Sequence, residues 1–362
     1  MATLRTLERN DIPGVVTLFD RVYPEHRWTS REACESYFRE ILLDSPWSDL
    51  DLPSWVVEDD RRVVGFAGIL PRPMLFRGRS IRVAVGAQFM VDPEERRSLT
   101  GLKLAKAVLS GPQDLFIADG SNTQARRMWQ GIGGSVPLVH NLHWTRPLRP
   151  ARQLLSALEQ MNGYRPLAIA ARPLGSAVDA IAARIRPNQF HLNGSDVIEC
   201  ELDAAVMLPH LPEAMRGNLL QPIYDAYTLS WLLQEVARKK RHGSLRARAV
   251  LDGKGQLMGW YLYYLLAGGV SELIQLNARD GALDTVLRRL LVDAWTQGAV
   301  AVRGRLDPRH LETLSERHCW LRREDPATLV HTKDAELAAA FHQGEAFITR
   351  LEGEWWLRFV GG

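Results

Sequence analysis

Cysteine is scarce. Cys34, Cys200 and Cys319 are the three in 362 residues, widely spaced and odd in number. Such a set cannot staple a disulfide scaffold and offers no paired spacing for zinc, so it points to a reducing compartment and to no metal site. Long apolar runs are missing too. No stretch approaches the roughly 20 apolar residues that span a bilayer, and the opening Met1-Ala-Thr-Leu-Arg-Thr-Leu-Glu8 lacks a basic-then-apolar leader pattern. The expectation is a soluble, cytoplasmic protein. Excess charge of one sign is also lacking: 45 Lys and Arg against 42 Asp and Glu leave +3. That suits a small anionic ligand and does not call for nucleic acid.

What is present suits two domains, since the chain is too long for one ordinary core and its apolar content is average. Thr3 to Leu7 reads as a strand. Asn10 or Asp11 then caps a helix over Ile12, Val15, Val16, Leu18 and Phe19, and Thr29-Ser30-Arg31-Glu32 opens a second over Tyr37, Phe38, Ile41 and Leu42. Strands follow at Ser54 to Glu58, Arg62 to Leu70 and Arg82 to Val91, separated by turns at Asp59-Asp60 and Arg77-Gly78.

The next stretch organises the rest. Arg96-Arg97-Ser98-Leu99-Thr100-Gly101 precedes the helical run Leu102, Leu104, Ala105, Val108 and Leu109. Two arginines opening into a helix N-terminus make either an anion site, because free amides and the positive end of the dipole point the same way, or a solvated turn with chance arginines. After a short strand (Asp114 to Asp119), Asn122, Ala125, Trp129 and Gly133 follow at spacings of three, four and four, one helix face with a glycine stop. Together these segments resemble the acyl-CoA-binding core of the GNAT (Gcn5-related N-acetyltransferase) superfamily. There an Arg/Gln-x-x-Gly-x-Gly/Ala loop holds the CoA pyrophosphate, and an Asn-x-x-Ala-x-x-x-Tyr-x-x-x-Gly helix lines the other side of the cofactor. Arg96 and Gly101 match the ends of the first motif, with Leu99 at its usual first glycine. Asn122, Ala125 and Gly133 match the second, with Trp129 at the usual tyrosine.

The resemblance implies an α/β (α+β) mixed-sheet fold. Strand, two helices, meander, helix, strand, helix and closing strands near Val136 to Thr145 bound a first domain at 1–146. Residues 147–195 read as a helical connector, with helices about Ala151 to Met161 and Leu174 to Ile185. Residues 196–362 look like a worn second copy: Val57 to Phe66 is echoed by Val250 to Trp260, and Phe116 to Ser121 by Val300 to Arg305. Its phosphate loop is gone, and Leu306 stands where Asn122 does. Phe347 to Phe359 reads as a closing hairpin. The expected architecture is therefore two tandem GNAT-like acyl-CoA N-acyltransferase domains, the second degenerate.

Acyl transfer from a thioester to an amine needs a polarised carbonyl, a base, and optionally an acid for the thiolate. The resemblance implies that a backbone N–H of the strand end Gln88-Phe89-Met90-Val91 takes the acyl carbonyl, Met90 and Val91 follow the pantetheine arm, and Arg96, Arg97, Ser98, Leu99, Thr100, Gly101 and Leu102 hold the diphosphate. Asn122, Ala125 and Trp129 line the far side, and Trp129 lacks the phenol that the family often uses as acid. For the base, Asp119 at a strand end competes with an Asx turn capping the Asn122 helix. His140 and His143 point to opposite faces, so at most one reaches the cleft, and His143 is the candidate. Glu25 and His26 lie in a substrate-side loop, and Trp28, Trp47 and Trp55 flank the presumed entrance or fill the core. The basic run Arg238-Lys-Lys-Arg-His242 reads as a solvated helix end or a dock for tRNA or an acyl carrier protein. The function expected is transfer of an acetyl or other acyl group from acyl-CoA to a small-molecule amine. The alternatives are a FemABX-type transferase using aminoacyl-tRNA and a non-catalytic CoA-binding regulator.

Overall fold

The computed structural model describes residues 2–26, 28–96, 98–159, 174–175, 178–179, 197–323 and 327–359. Strand β1 (Thr3–Thr6) leads to helices α1 (Ile12–Val22) and α2 (Arg31–Leu42). The apolar face of α1 is buried through Val15, Val16, Leu18 and Phe19. Ser30 caps α2 by accepting the Ala33 N–H at 3.1 Å. Asp11 does not cap α1 with its side chain; its carboxylate takes the Arg5 guanidinium and the Glu8 N–H instead. The meander follows as expected: β2 (Trp55–Asp59), β3 (Arg62–Phe76) and β4 (Arg79–Val91). Then come α3 (Thr100–Leu109), β5 (Leu115–Ser121), α4 (Thr123–Gly131), β6 (Leu142–Pro147) and α5 (Pro150–Glu159). Most of the second connector helix expected from Leu174 to Ile185 lies outside the described residues, although the Asp179 carboxylate receives the Ala151 and Arg152 N–H groups at the start of α5.

The second half contributes β7 (Ile198–Glu201), β8 (Leu220–Pro222), α6 (Ala226–Arg238), β9 (Ser244–Leu251), β10 (Leu257–Leu265) and β11 (Val270–Ala278). It continues with α7 (Leu283–Thr296), β12 (Ala301–Arg305), β13 (Trp320–Arg323), β14 (Ala327–His331) and α8 (Ala335–Gln343). Two mixed sheets result. The first runs β1-β2-β3-β4-β5-β14, with β8 on the far end of β3; the second runs β13-β6-β12-β11-β10-β9-β7. Each holds one parallel pair, β4 with β5 and β11 with β12, crossed over by α3 and α7 respectively.

The halves are interleaved, which the sequence does not announce. The strand near Val136 to Thr145 does not close the first sheet. Its ordered part, β6, pairs with β12 and β13 in the second. In exchange β14 comes from the second half to pair with β5. The expected hairpin at Phe347 to Phe359 is a string of turns, not paired strands. It carries Leu351, Trp356, Leu357 and Phe359 into the largest apolar cluster, beside Phe19, Phe38 and Phe66 of the first half and Leu229, Leu232 and Trp260 of the second. Smaller clusters pack α3 and α4 on the first sheet and α7 on the second. A long terminal stretch with one aromatic anchor after another gains more by filling a shared core than by exposing a two-stranded edge.

Tertiary packing also decides two local readings. Trp28 packs on Tyr37 and Phe359, and Trp47 on Tyr224 and Trp231. With the half-buried Trp55 they belong to apolar clusters and do not flank an entrance. The basic run is solvated at Arg238, Lys240 and Arg241, but Lys239 is buried with its ammonium over the Trp355 ring at 4.3 Å, and Arg238 pairs with Glu40 and Glu235. His310 is buried too. Among the described residues no helix is long and apolar enough to cross a membrane.

The exchanged strands tie both sheets into one cooperative unit. Leu329→Ala, a second-half residue in the first sheet's core, should cost about 2–5 kcal/mol, and urea unfolding should remain a single transition by fluorescence and far-UV dichroism. Two separated transitions would show that the sheets fold independently.

Candidate functional site

The site begins with a slip in register. Ala67 of β3 faces Phe89 of β4, but Gly68 faces Ala87, leaving Gln88 as the extra residue of a bulge. Gln88 accordingly takes φ +55°, unusual for a non-glycine residue. Gly68 is what permits it, because a Cβ there would lie 2.3 Å from the Ala87 carbonyl oxygen. The bulge bends β4 away from β5. Their parallel pairing covers Val83 to Gly86 against Leu115 to Ala118 and stops, although β4 continues to Val91 and β5 to Ser121. The two strands therefore splay.

The splay opens into a cavity of about 870 Å³. The first half lines it with Gln88, Phe89, Phe116, Asp119 and Trp129, while Tyr23, Glu25 and His26 join from the loop after α1. The second half supplies Arg303, Arg305, Arg350, Glu354 and Trp355, with His143 of the exchanged strand β6. Freed from the ladder by the bulge, the Gln88 N–H donates to Glu354 Oε2 at 3.3 Å.

Asp119 and Glu354 are brought together by two glycines. A Cβ at Gly353 would fall 2.1 Å from Asp119 Oδ2, and one at Gly120 would fall 2.7 Å from Glu354 Oε1. Asp119 does not form the Asx turn that competed with a cleft position. Its Oδ1 accepts from the Arg305 guanidinium and from Thr328 Oγ1 at 2.7 Å. Burial, then the Asp119 charge, pushes the Glu354 carboxyl up to about 8, against the Gln88 N–H and Lys239, which pull it down. Burial also pushes Lys239 down to about 7, helped by Arg350 and Arg241. His143 is driven down to about 3 by burial and the three nearby arginines, so its imidazole is neutral. His242 stacks on Trp355 with centroids 4.7 Å apart and falls to about 4, again chiefly by burial. His140 turns elsewhere and packs on Phe341.

Gln88, Phe89, Asp119, Asn122, Ala125, Trp129 and His143 thus reach the cavity. Asn122 does so as the cap of α4, accepting the Ala125 N–H at 2.9 Å. Trp129 is buried against Phe116 and Phe89. Met90 faces the shared core, and Val91 packs toward the α3 side. The Arg96 to Leu102 segment does not line the cavity, and Arg97 lies outside the described residues. Arg96, Ser98 and Leu99 are exposed at the mouth of α3. Ser98 Oγ accepts the Thr100 N–H at 3.1 Å, and the first i−4 bond is Lys103 N–H to Leu99 O at 2.8 Å, which leaves the Gly101 and Leu102 amides to other partners. A Cβ at Gly101 would sit 3.5 Å from Val91, 3.6 Å from Met128 and 4.0 Å from Phe89. The helix mouth therefore adjoins the splayed end of β4.

Glu354, Lys239, Arg305, Arg350 and Trp355 carry no motif. The one local sign was a glycine directly before Glu354 and a tryptophan pair directly after it.

No family profile matches this sequence, and no curated protein sequence matches it. Solved structures do. A probable N-acyltransferase from Enterococcus faecalis superposes with a TM-score of 0.59 at 10% identity, over 91% of this chain and 72% of that one. A GCN5-related N-acetyltransferase from Anabaena variabilis gives 0.59 at 12% identity, over 92% and 73%. The Saccharomyces cerevisiae N-myristoyltransferase with bound myristoyl-CoA gives 0.54 at 12% identity, over 91% and 78%. At such identities the likeness establishes the fold: this chain has the GNAT acyltransferase fold, with two mixed sheets.

The buried groups set a stability profile. Folded, Glu354 keeps its proton to about 8; unfolded, it loses it near 4.5. The folded state thus binds the extra proton between those values, and this group's contribution falls as pH rises across them. His140, His143 and His242, held neutral when folded but protonating near 6.5 when unfolded, make stability fall as pH drops below 6.5. Urea unfolding should show stability rising with pH up to about 6.5 and then levelling, because above about 7 the neutral folded Lys239 offsets the loss at Glu354. Glu354→Gln should let stability climb with pH above about 7, where Lys239 then acts alone; a profile unchanged in that variant would exclude the assignment.

Proposed function

We propose that this protein is an acyl-CoA-dependent N-acyltransferase acting on a small-molecule amine. The observation that carries the reading is the bulge at Gln88, which frees a backbone N–H and opens a deep cavity between β4 and β5. Bound acyl-CoA supplies an activated acyl carbonyl. The Gln88 amide, which donates to Glu354 in this structure, passes to that carbonyl and to the charge that develops on it when the acyl group binds. Phe89, Ala125 and Trp129 line the arm, and Arg96 and Arg97 with the Gly101 and Leu102 amides hold the diphosphate.

Glu354 is the base in this reading. It receives the Gln88 N–H and so lies within a hydrogen bond of where the new bond forms, and its pKa of about 8 is matched to proton transfer from an amine near neutral pH. Asp119 raises that pKa, and Arg305 and Thr328 hold Asp119. His143, at about 3, accepts a proton too weakly for the same task and serves as a neutral hydrogen-bonding wall. Trp129 has no acidic hydroxyl, so the thiolate departs without its help.

The domain reading belongs to the same proposal. Residues 1–146 and 196–362 are two GNAT-like units joined by 147–195, the second degenerate, with their late strands exchanged. Gly65 beneath α3 and Gly259 beneath α7 support it. A Cβ at Gly65 would lie 2.8 Å from Thr100, and one at Gly259 would lie 3.0 Å from Val286.

Calorimetry with acetyl-CoA and longer acyl-CoAs should give micromolar binding, weakened about threefold to tenfold by Arg96→Ala. Glu354→Gln should lower kcat by about 100-fold or more with acyl-CoA affinity little changed, and abolish the rise of rate toward pH 8. No binding of any acyl-CoA would refute the reading, and binding without transfer to any amine would favour a regulatory role.

A further inference from the structure

The cavity has two halves of opposite character, and the pleat of the first sheet divides them. Side chains alternate between faces along a strand. Ala67 and Ile69 of β3, with Phe116 and Ala118 of β5, belong to the apolar cluster under α3 and α4. Gly86 of β4 is on the same side, because a Cβ there would meet the Phe116 ring at 3.0 and 3.2 Å. Asp119, the neighbour of Ala118, faces the other way, toward Arg305 of the second half. The charged walls of Asp119, Glu354 and Arg305 therefore lie on one side of the splay. On the other, beneath α3, the lining is Ala67, Ile69, Gly86, Val108 and Phe116.

This apolar recess is kept open by the choice of residues. Gly86 has no positive φ, so no turn requires a glycine there. A glycine inside a strand weakens it, and a larger side chain would fill the space. Empty apolar space also forfeits packing contacts, which an occupant restores. The nature of the occupant follows from the backbone. Ile69 pairs with Gly86, Gly86 pairs with Ala118, and the Val108 carbonyl accepts the Gln113 side-chain N–H at 2.6 Å. These groups are taken up by the ladder and the helix end. An amide or hydroxyl placed among them would lose its hydrogen bonds to water without replacement, whereas hydrocarbon has none to lose.

We infer that the acyl group is a straight aliphatic chain of about six carbons, seated past the bulge among Ala67, Ile69, Gly86, Val108 and Phe116. This rests on the N-acyltransferase reading and names its donor. An acyl-CoA that reaches Gln88 from the mouth of α3 runs along β4 past Val91 and Phe89, both on the α3 side. Its carbonyl stops at the bulge, and whatever follows the carbonyl continues along the same face to Gly86. Gly86 is two residues beyond Gln88, roughly 7 Å at the rise of a strand. That is the span of roughly five carbon–carbon bonds in a zigzag, and the pairing of β4 with β5 closes the way beyond. An acetyl group leaves the recess empty. A chain turned into the other half would lie among Asp119, Glu354 and Arg305 and would obstruct the amine.

The test is calorimetry on the full chain with saturated acyl-CoAs from acetyl to dodecanoyl, and it needs no turnover. Affinity should rise about fourfold with each methylene that leaves water, reaching about 100-fold between acetyl-CoA and hexanoyl-CoA. It should stop rising beyond octanoyl-CoA, where the recess is full. Gly86→Ala and Val108→Phe, which put bulk into the recess, should each remove about tenfold or more of the preference for hexanoyl-CoA over acetyl-CoA. Binding of acetyl-CoA, which does not reach the recess, shows that a variant is folded. If neither variant folds, the chain-length series of the unaltered protein decides alone. Equal affinity along the series, a rise that continues unbroken to dodecanoyl-CoA, or a hexanoyl preference that both folded variants keep overturns the inference and leaves the transferase reading in place. No binding at any chain length removes both.

Discussion

The contact on which the rest depends joins Asp119, at the end of β5, to Arg305, at the end of β12. Neither side chain could be buried alone. An uncompensated charge at this depth costs several kcal/mol, so each requires the other. Because the partners are 186 residues apart, their pairing fixes where the two sheets meet. Thr328 Oγ1 adds a second donor to the same carboxylate oxygen, and Thr328 lies on β14, the exchanged strand. The ion pair and the exchange therefore enforce each other. The anchored Asp119 in turn shapes the field around Glu354, so one buried pair positions the halves and prepares the carboxyl group of the cavity.

The first half was legible because its signals are local. The cap at Asn122, the positive-φ turns at Asp60-Arg61 and Arg77-Gly78 and the helical spacing of Val15 to Phe19 each need only neighbours a few residues away. The bulge was half legible. The resemblance directs attention to Gln88 through Val91, but the irregularity follows from Gly68 on the next strand, whose missing Cβ makes room for the Ala87 carbonyl. Strand exchange was not legible at all: β6 reads as a closing strand whichever sheet it joins, and Ala327 to His331 carried no strand reading. Choosing between edges depends on what each edge leaves uncovered, a tertiary quantity. The basic run failed for a related reason. Local charge density predicts solvent, yet Lys239 and His242 are carried inward against Trp355, whose ring repays part of the burial.

The terminal segment explains why the two sheets, built alike, carry openings of such different size. The second sheet has its own bulge, where Leu262 faces Gln275 and Tyr263 faces Leu273, leaving Ile274 extra. Its parallel pairing of β11 with β12 likewise stops early, at Glu272 and Arg303. A second cleft should open there. It is filled instead: Ala346 to Thr349 lies in it, the Arg350 N–H donates to the Ile274 carbonyl at 3.3 Å, and about 30 Å³ remains. The same chain then turns at Gly353 and delivers Glu354 to the Gln88 amide of the first cleft. One irregular segment thus closes the second opening and equips the first. It cannot be a strand while doing both, because a ladder would alternate its side chains between two faces, whereas Ile348, Arg350, Glu354 and Trp356 must each reach a different surface. The loss of regular structure at the end of this chain is the condition for placing a second carboxyl group beside Asp119 in the first cleft.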